Sequence, residues 1–394
     1  MGNTVWDTIS NFFVYSESSP LIFTEGSFWL FFAVLLLGYS LVYRTRFLRS
    51  SYLLLFSFFF YYKSSGYFFV LLIFSTLCDY ALGLLISKSS INWRRKLYVG
   101  VSVFINLSVL SFFKYSYFFA DTVNTLFDTN FQAFNFLAHW ANVIAGQSFD
   151  VSSIVLPVGI SFYTFQTISY SIDVYRGEVK PVTRLSDYGF FVSFFPQLVA
   201  GPIVRASQFI PQIYKDYSVT KEDFGLALFM ILKGLVKKLF IGDFIALNMI
   251  DRVFANPISY SGFENLMGLY GYSLQVYCDF SGYTDMATGL ALLMGFRLPK
   301  NFNSPYKAKN TGEFWKRWHI SLSSWLKDYL YIPMGGNRGA SLFTYISLIL
   351  VLGFVVLLSG NLVLIPVFAG VFLITGILMR FFPAFKLNVS TNIN

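Results

Sequence analysis

The sequence contains little charge and little cysteine. Charged residues make up only 12% of its 394 residues and hydrophobic residues make up 55%, whereas roughly 25% of residues in ordinary soluble domains are charged. This composition argues against a water-soluble enzyme. The two cysteines, Cys78 and Cys278, can form neither a framework of several disulfides nor a cysteine-rich metal site, and we predict no bound metal.

Signals for export and for common soluble enzymes are also missing. Residues 1–20 contain no Lys or Arg, so we predict no removable signal peptide and expect the first span to stay in the mature protein. The sequence has no Gly-x-Ser-x-Gly elbow, no Walker loop and no His-Glu-x-x-His pair, the motifs of several large enzyme classes. The net charge of +9 comes from short basic clusters between apolar blocks, which argues against nucleic acid as a partner.

Long apolar runs dominate what is present, and 21% of the residues are aromatic. A bilayer accepts helices or closed barrels, and these runs are continuous rather than alternating, which favours helices of ~20 residues. We therefore predict an all-α polytopic membrane protein with about nine to eleven transmembrane or re-entrant helices. The block at 186–203 contains two prolines and is expected to be interrupted. The apolar blocks lie at about 21–43, 50–62, 66–87, 98–119, 151–172, 186–203, 225–249, 264–296, 341–359 and 361–382.

The distribution of basic residues predicts the orientation. Basic clusters at 44–49 and 88–96 follow the first and third blocks, and residues 120–150 contain aspartates but no Lys or Arg. Because cytoplasmic loops carry the Lys and Arg excess, both clusters are expected in the cytoplasm and the N-terminus outside it. We treat the chain as one membrane domain, 1–394, with N-terminal spans at 1–150, a core at 151–340 and C-terminal spans at 341–394.

Residues 313–330 have the pattern of an amphipathic helix capped at Asn310 or the next residue. At ~100° per residue, His319 falls near the edge of the apolar face. An imidazole among apolar neighbours tends to stay neutral and can accept a proton. The alternative is a structural histidine satisfied by Ser323 or a backbone carbonyl. The other histidine, His139, has no charged neighbour and is interpreted as structural.

A second polar cluster is embedded in an apolar block and contains Asp279 and Asp285. Ionisable residues in a span are costly unless they are paired or line water, so a functional site competes here with a buried structural network. Lys233, Lys237 and Lys238 lie inside another apolar block. They either extend their ammonium groups to the membrane surface or attract an anionic substrate such as a nucleotide thioester.

Four stretches together resemble the membrane-bound O-acyltransferase family, and within it the bacterial branch that O-acetylates alginate. The resemblance covers the chain from about residue 150 to 340. The stretches are LPVGISFYTFQTISYSIDVYRG at 156–177, FFPQLVAGPIVR at 194–205, YCDFSGYTDMATGLALLMGFRLPKNFNSPY at 277–306 and EFWKRWHISLSSWLKDYLYIPMGGNRG at 313–339.

The resemblance implies a protein of the bacterial cytoplasmic (inner) membrane, surrounded by lipids, that moves an acyl group across it. The donor would be acetyl-CoA, another acyl-CoA or an acyl carrier thioester, with no tightly bound cofactor. A partner on the secreted side would pass the group, most simply acetyl, to an exported polysaccharide. His319 would act as general base with Asp279 or Asp285 in support. The residues expected to contact substrate are Asn303, Trp315, Lys316, Arg317, Trp318, Asn337 and Arg338.

One part of the chain departs from the family pattern. The family's second histidine lies in a Gly-Leu-Trp-His-Gly type motif, whereas the corresponding stretch, Leu357–Ile365, contains neither Trp nor His. We therefore expect a diverged or truncated C-terminal part. Two hypotheses stay open: an acyltransferase that relies on His319, or a catalytically impaired member that acts as a membrane scaffold for polysaccharide modification. A small-solute transporter is the least supported, because no inverted repeat is visible.

Overall fold

The regular structure of the described residues is helical. Every element whose bounds the structure describes is a helix, so the all-α prediction is confirmed for this part of the chain. The spans predicted at 341–359 and 361–382 lie outside it. The structure is a computed structural model, and it describes residues 13–16, 20–145, 150–199 and 201–333.

Fourteen α-helices have described bounds, and shorter 3₁₀ and π elements lie between them. The α-helices are α1 (Gly26–Val42), α2 (Arg46–Ser65), α3 (Phe69–Lys88), α4 (Asn92–Phe127), α5 (Phe136–Ala145), α6 (Ile160–Arg176), α7 (Leu185–Ser193), α8 (Phe195–Leu198), α9 (Ala206–Ile213), α10 (Lys221–Leu235), α11 (Asp251–Ala255), α12 (Gly262–Leu293), α13 (Thr311–Arg317) and α14 (Ile320–Trp325). The 3₁₀ elements are Gly66–Phe68, Pro257–Ser259 and Pro305–Lys307, and the π-helices are Val236–Asp243, Ala246–Ile250 and Leu326–Tyr331.

Two helical stretches in the described part of the chain are long and apolar enough to cross a membrane. They are Arg46–Lys88, with 43 residues, and Asn92–Phe127, with 36 residues; Gly26–Val42 is apolar but shorter. The first stretch joins α2 to α3 through a 3₁₀ turn. The predicted interruption of the block at 186–203 is confirmed, because α7 ends at Ser193 and α8 begins at Phe195.

The Cα positions group the chain into two units. In the smaller unit, Asn124 closes the turn that follows α4. Its side-chain oxygen accepts a hydrogen bond from the Phe131 amide at 2.6 Å, and its side-chain nitrogen donates to the Phe131 carbonyl at 2.9 Å. The division of 1–394 into N-terminal spans, core and C-terminal spans stays a prediction. The described residues of the larger unit are those up to 120 and 132–325, and those of the smaller unit are 121–131 and 326–333.

Aromatic rings fill much of the interior of the larger unit. Phe28, Phe60 and Phe195 are at most 1% exposed. The ring of Phe60 lies 6.0 Å from that of Phe28 and 5.2 Å from that of Phe195. These separations suit edge-on and tilted aromatic packing. Part of the high aromatic content therefore packs helices against one another.

Helices α10 and α12 approach each other backbone to backbone. A Cβ atom on Gly234 would lie 2.6 Å from the Gly282 carbonyl oxygen, and one on Gly282 would lie 2.8 Å from the Gly234 oxygen. Small residues permit this close approach. Beyond α10 the chain continues as the π-helix Val236–Asp243, a geometry that is frequent at functional sites. The contact brings the lysines that follow Gly234 to the carboxylates of α12.

Candidate functional site

His319 lies at a break between two short helices. Helix α13 ends at Arg317 and α14 begins at Ile320. Between them, Trp318 is extended (φ −99°, ψ 129°) and His319 has φ +42°, in the left-handed region that few residues other than glycine adopt. The predicted continuous helix over 313–330 is therefore wrong, and so is the position on its apolar face that it assigned to His319.

The segment Asn301–Asn303 causes this break by providing hydrogen-bond partners that a continuous helix would not use. In such a helix the amide of Ser321 would donate to the carbonyl of Arg317. Instead it donates to Oδ1 of Asn301 at 3.2 Å, and the Arg317 carbonyl accepts from the amide of Asn303 at 2.9 Å. The amide of Ile320 donates to the Asn301 carbonyl at 2.9 Å. Both sides of His319 are thus fixed by the upstream segment.

The imidazole of His319 is held in place by packing. Its ring packs edge-on against Phe280, with centroids 4.8 Å apart and planes at 90°, and its buried Nε2 atom has no hydrogen-bond partner within the described residues. The residue lies outside the two candidate spans. Burial lowers the pKa of His319 to about 4, because the charged form loses hydration. At neutral pH the ring is uncharged and one of its nitrogens can accept a proton.

The two aspartates predicted to support His319 contact lysines. Oδ1 of Asp279 lies 2.6 Å from Nζ of Lys238, and Oδ2 of Asp285 lies 2.7 Å from Nζ of Lys237. The structure describes no hydrogen bond between either carboxylate and His319. A role for these aspartates in catalysis stays a prediction, and their described contacts are ion pairs that join α12 to the end of α10 and to the π-helix that follows it.

A cleft of about 610 Å³ lies beside these ion pairs. Its walls carry four cationic side chains and one carboxylate, that of Asp285. We call it the cationic cleft. Asn301 and Asn303 also line it, so the segment that fixes His319 forms part of its wall. The cationic residues are Lys233, Lys237, Arg297 and Lys300.

Four of the predicted substrate contacts lie on or directly after α13. Trp318 packs parallel to Phe314, with centroids 5.6 Å apart, whereas Trp315 is 52% exposed and Lys316 is exposed. Arg317 forms an ion pair with Glu313 at 2.7 Å, which engages it within its own helix. The positions of these four residues do not test the prediction that they contact substrate. Two further predicted contacts, Asn337 and Arg338, lie outside the described residues.

Sequence reasoning did not single out three residues that line the cationic cleft: Arg297, Lys300 and Asn301. They lie in a loop without hydrophobic periodicity, so no helix or strand pattern drew attention to them. The sequence signal that could have identified them is the pair of cations, Arg297 and Lys300, directly after the long apolar block that forms α12. Their grouping with Lys233 and Lys237 becomes visible only once α10 and α12 pack together.

The fold and the site define a helical protein with a cationic cleft between two of its helices and a loop. Residues 182–388 match the model of MBOAT, the membrane-bound O-acyltransferase family. The match covers more than half of the chain, which belongs to this family and is accordingly a membrane protein.

Three relatives, whose names give different substrates, are similar to this chain. The chain spans about half the length of each of them. The probable alginate O-acetylase AlgI of Pseudomonas aeruginosa is 44% identical over 279 residues, 70% of this chain and 50% of the relative. The peptidoglycan O-acetyltransferase of Helicobacter pylori is 39% identical over 307 residues, covering 71% and 54%. The teichoic acid D-alanyltransferase of Bacillus subtilis is 35% identical over 180 residues, covering 44% and 45%.

Proposed function

We propose that this protein is an O-acyltransferase that passes an acyl group, most simply acetyl, from a cytoplasmic thioester to an exported polysaccharide. The observation that carries the proposal is the unpartnered imidazole nitrogen of His319, held in a fixed backbone conformation beside the segment that lines the cationic cleft. Family membership supports O-acyl transfer as the reaction class. The names of two relatives, an alginate O-acetylase and a peptidoglycan O-acetyltransferase, support a polysaccharide as the final acceptor.

His319 is the general base of the proposed reaction. Its neutral imidazole takes the proton of an acceptor hydroxyl, and the hydroxyl oxygen forms a bond to the carbonyl carbon of the thioester. The carbon–sulfur bond then breaks, and the imidazolium returns the proton to the leaving sulfur. The products are an ester and a free thiol, and His319 is regenerated. Among the two histidines of the chain, only His319 lies within the region that matches the family model.

The cationic cleft is the proposed binding site for the donor. Coenzyme A and the phosphopantetheine arm of an acyl carrier both carry phosphate, and lysine and arginine are the usual partners of phosphate. Arg297 is paired with Asp223 at 2.7 Å, but the three lysines of the lining face one carboxylate and leave the cleft with an excess of positive charge. The donor is a substrate, and the mechanism requires neither a metal nor a tightly bound cofactor.

The proposed setting is the bacterial cytoplasmic membrane, crossed several times with the N-terminus on the extracytoplasmic side. About nine to eleven transmembrane or re-entrant helices follow from the apolar blocks. The acetyl group leaves on the secreted side, where a partner protein transfers it to the polymer. Lipids surround the helices, and nucleic acid has no part in the function.

The test compares the ester content of secreted polysaccharide from a deletion strain that carries the unmodified chain or a variant. His319→Asn is the informative variant, because asparagine tolerates the left-handed backbone at this position and lacks the imidazole. His139→Asn is the matched control, since His139 is exposed on α5. We expect ester with the unmodified chain and the control, and none with His319→Asn. Ester formation by His319→Asn would overturn the proposed role.

A scaffold without activity is the competing function, favoured by the absence of histidine from the stretch Leu357–Ile365. In that case polymer secretion depends on the protein, whereas the ester content does not depend on His319. No ester from the unmodified chain, with protein present in the membrane, would support the scaffold. Solute uptake by purified protein in liposomes would instead support a transporter.

A further inference from the structure

Asn301 places an unused hydrogen-bond donor in the wall of the cationic cleft. The residue is only 1% exposed, it lines the cleft, and its Nδ2 atom has no partner within the described residues. A buried amide group without an acceptor is costly, and native proteins contain few. A ligand in the cleft could supply the acceptor that this nitrogen lacks among the described residues.

Hydrogen bonds fix the orientation of this amide. The backbone amide of Ser321 is necessarily a donor, so the atom of Asn301 that faces it at 3.2 Å is the oxygen. The hydroxyl of Ser321 donates to the same oxygen at 2.8 Å and accepts from the amide of Ile203 at 3.0 Å. The nitrogen of Asn301 therefore points away from Ser321 and cannot exchange places with the oxygen at no cost.

The same contacts tie Asn301 to the segment of the catalytic base. The Asn301 carbonyl accepts from the amide of Ile320, the residue directly after His319, at 2.9 Å. A buried N–H donor and a buried basic nitrogen, both without partners, thus lie on two segments that are hydrogen-bonded to each other. Acyl transfer needs this pair of properties: a base for the attacking hydroxyl and a donor for the carbonyl oxygen.

We propose that Nδ2 of Asn301 donates a hydrogen bond to the carbonyl oxygen of the acyl thioester; this assignment rests on the proposed function. When the hydroxyl oxygen attacks, the electron pair of the C=O bond moves onto that oxygen, and the Asn301 amide stabilises the negative charge. When the carbon–sulfur bond breaks, the pair returns to the carbonyl and the sulfur takes the proton from His319. Asn301 itself neither gains nor loses a proton.

The test uses membrane vesicles of the deletion strain that carry the full chain, with the secreted-side partner present, and measures thiol release from acetyl-CoA with an alginate oligosaccharide as final acceptor. Asn301→Asp keeps one oxygen toward Ser321 and replaces the donor nitrogen with an oxygen that cannot donate. We expect kcat to fall about 100- to 1,000-fold, as for the loss of an oxyanion donor, at an unchanged KM for acetyl-CoA. Asn248→Asp is the matched control, because Asn248 is exposed and its described hydrogen bond goes to the Phe244 carbonyl four residues earlier.

A second measurement does not depend on how well the variant folds. The unmodified chain is given acetyl-CoA or its dithioester analogue, in which sulfur replaces the carbonyl oxygen. Sulfur is a weak hydrogen-bond acceptor. We therefore expect the rate enhancement by the enzyme to be at least about tenfold smaller with the analogue than with acetyl-CoA.

Each result decides the assignment. An unchanged kcat in Asn301→Asp, a rise in KM at constant kcat, or equal rate enhancement with both donors would overturn it. If Asn301→Asp does not fold, the dithioester comparison decides. If the unmodified chain releases no thiol, the proposed function fails, and the assignment of Asn301 fails with it.

Discussion

Lys237, in the π-helix that follows α10, forms an ion pair with Asp285 of α12, with Nζ of the lysine 2.7 Å from Oδ2 of the aspartate. The two side chains are only 19% and 16% exposed. Lys233 approaches the same oxygen at 3.2 Å, so two ammonium groups share one carboxylate. The pairing stabilises the lysines inside the protein, and the remaining positive charge faces the cationic cleft.

Removing the shared carboxylate is expected to cost more stability than removing one lysine. Asp285→Asn leaves Lys233 and Lys237 close together without a counter-charge, and we expect the free energy of unfolding to fall by about 1–3 kcal/mol, between the values for exposed and buried pairs. Lys237→Gln is expected to cost less, because Lys233 still neutralises the carboxylate. Thermal unfolding in detergent, with the double variant completing a cycle, measures both changes. Equal losses would contradict the shared pairing.

Lys300 offers a direct test of donor binding. It is exposed, it lines the cationic cleft, and its Nζ atom contacts an amide oxygen, Oδ1 of Asn303, at 2.9 Å. We expect Lys300→Gln to raise the KM for acetyl-CoA about three- to tenfold at constant kcat, with a smaller effect at high salt, because a screened charge contact is lost. Lys309→Gln makes the same charge change at an exposed residue outside the cleft lining. A similar rise in this control would refute a specific role for Lys300.

The pH dependence of activity is expected to show no protonation of His319 above about pH 5. Burial lowers its pKa to about 4, so above about pH 5 the imidazole is almost entirely neutral and able to accept a proton. A profile of kcat/KM against pH measures this. A loss of activity with an apparent pKa near 6.5 would show that the ring is hydrated like a free histidine.

The same shift predicts how stability changes with pH. The unfolded chain binds a proton to His319 near pH 6.5, whereas the folded chain binds it only near pH 4. Between these values the unfolded state carries more protons, so the free energy of unfolding falls as the pH falls. His319→Gln lacks this proton and is expected to lose less stability between pH 7 and pH 5. Identical pH slopes for the two proteins would contradict the shift.

Structural features that depend only on neighbouring residues, such as helix caps, could be predicted from the sequence. Asn310 caps α13 as expected, since its Oδ1 accepts from the amide of Glu313 at 2.8 Å. The conformation at His319 could not be predicted in this way. It depends on Asn301 and Asn303, which lie far upstream and compete with the hydrogen-bond ladder of a helix. A helical wheel contains no information about such tertiary partners.

The ion pairs beside the cationic cleft could likewise be predicted only in part from the sequence. Lys233 and Lys237 lie four residues apart, and both contact Oδ2 of Asp285. Their partner could not be chosen from the sequence, because the alignment of α10 with α12 depends on the contact between Gly234 and Gly282. No sequence pattern pointed to Asn301, because its proposed role depends on one side-chain nitrogen that has no hydrogen-bond partner among the described residues.

Two glycines with the same backbone conformation are expected to differ in their tolerance of a side chain. Gly159 has φ +74° and Gly177 has φ +79°, so alanine at either position costs about 1–2 kcal/mol in backbone strain. A Cβ atom on Gly159 would overlap the Leu198 carbonyl oxygen, whereas one on Gly177 meets no atom within 4 Å.

Gly159→Ala must therefore also displace the backbone at the end of α8, and we expect it to lose about 1–3 kcal/mol more than Gly177→Ala, the usual cost of overpacking. Thermal unfolding of the two purified variants measures the difference, and Gly177→Ala removes the common backbone strain from the comparison. Equal melting temperatures would mean that α8 moves away from Gly159 without resistance. A larger loss for Gly159→Ala would show that the contact between the start of α6 and the end of α8 is rigid.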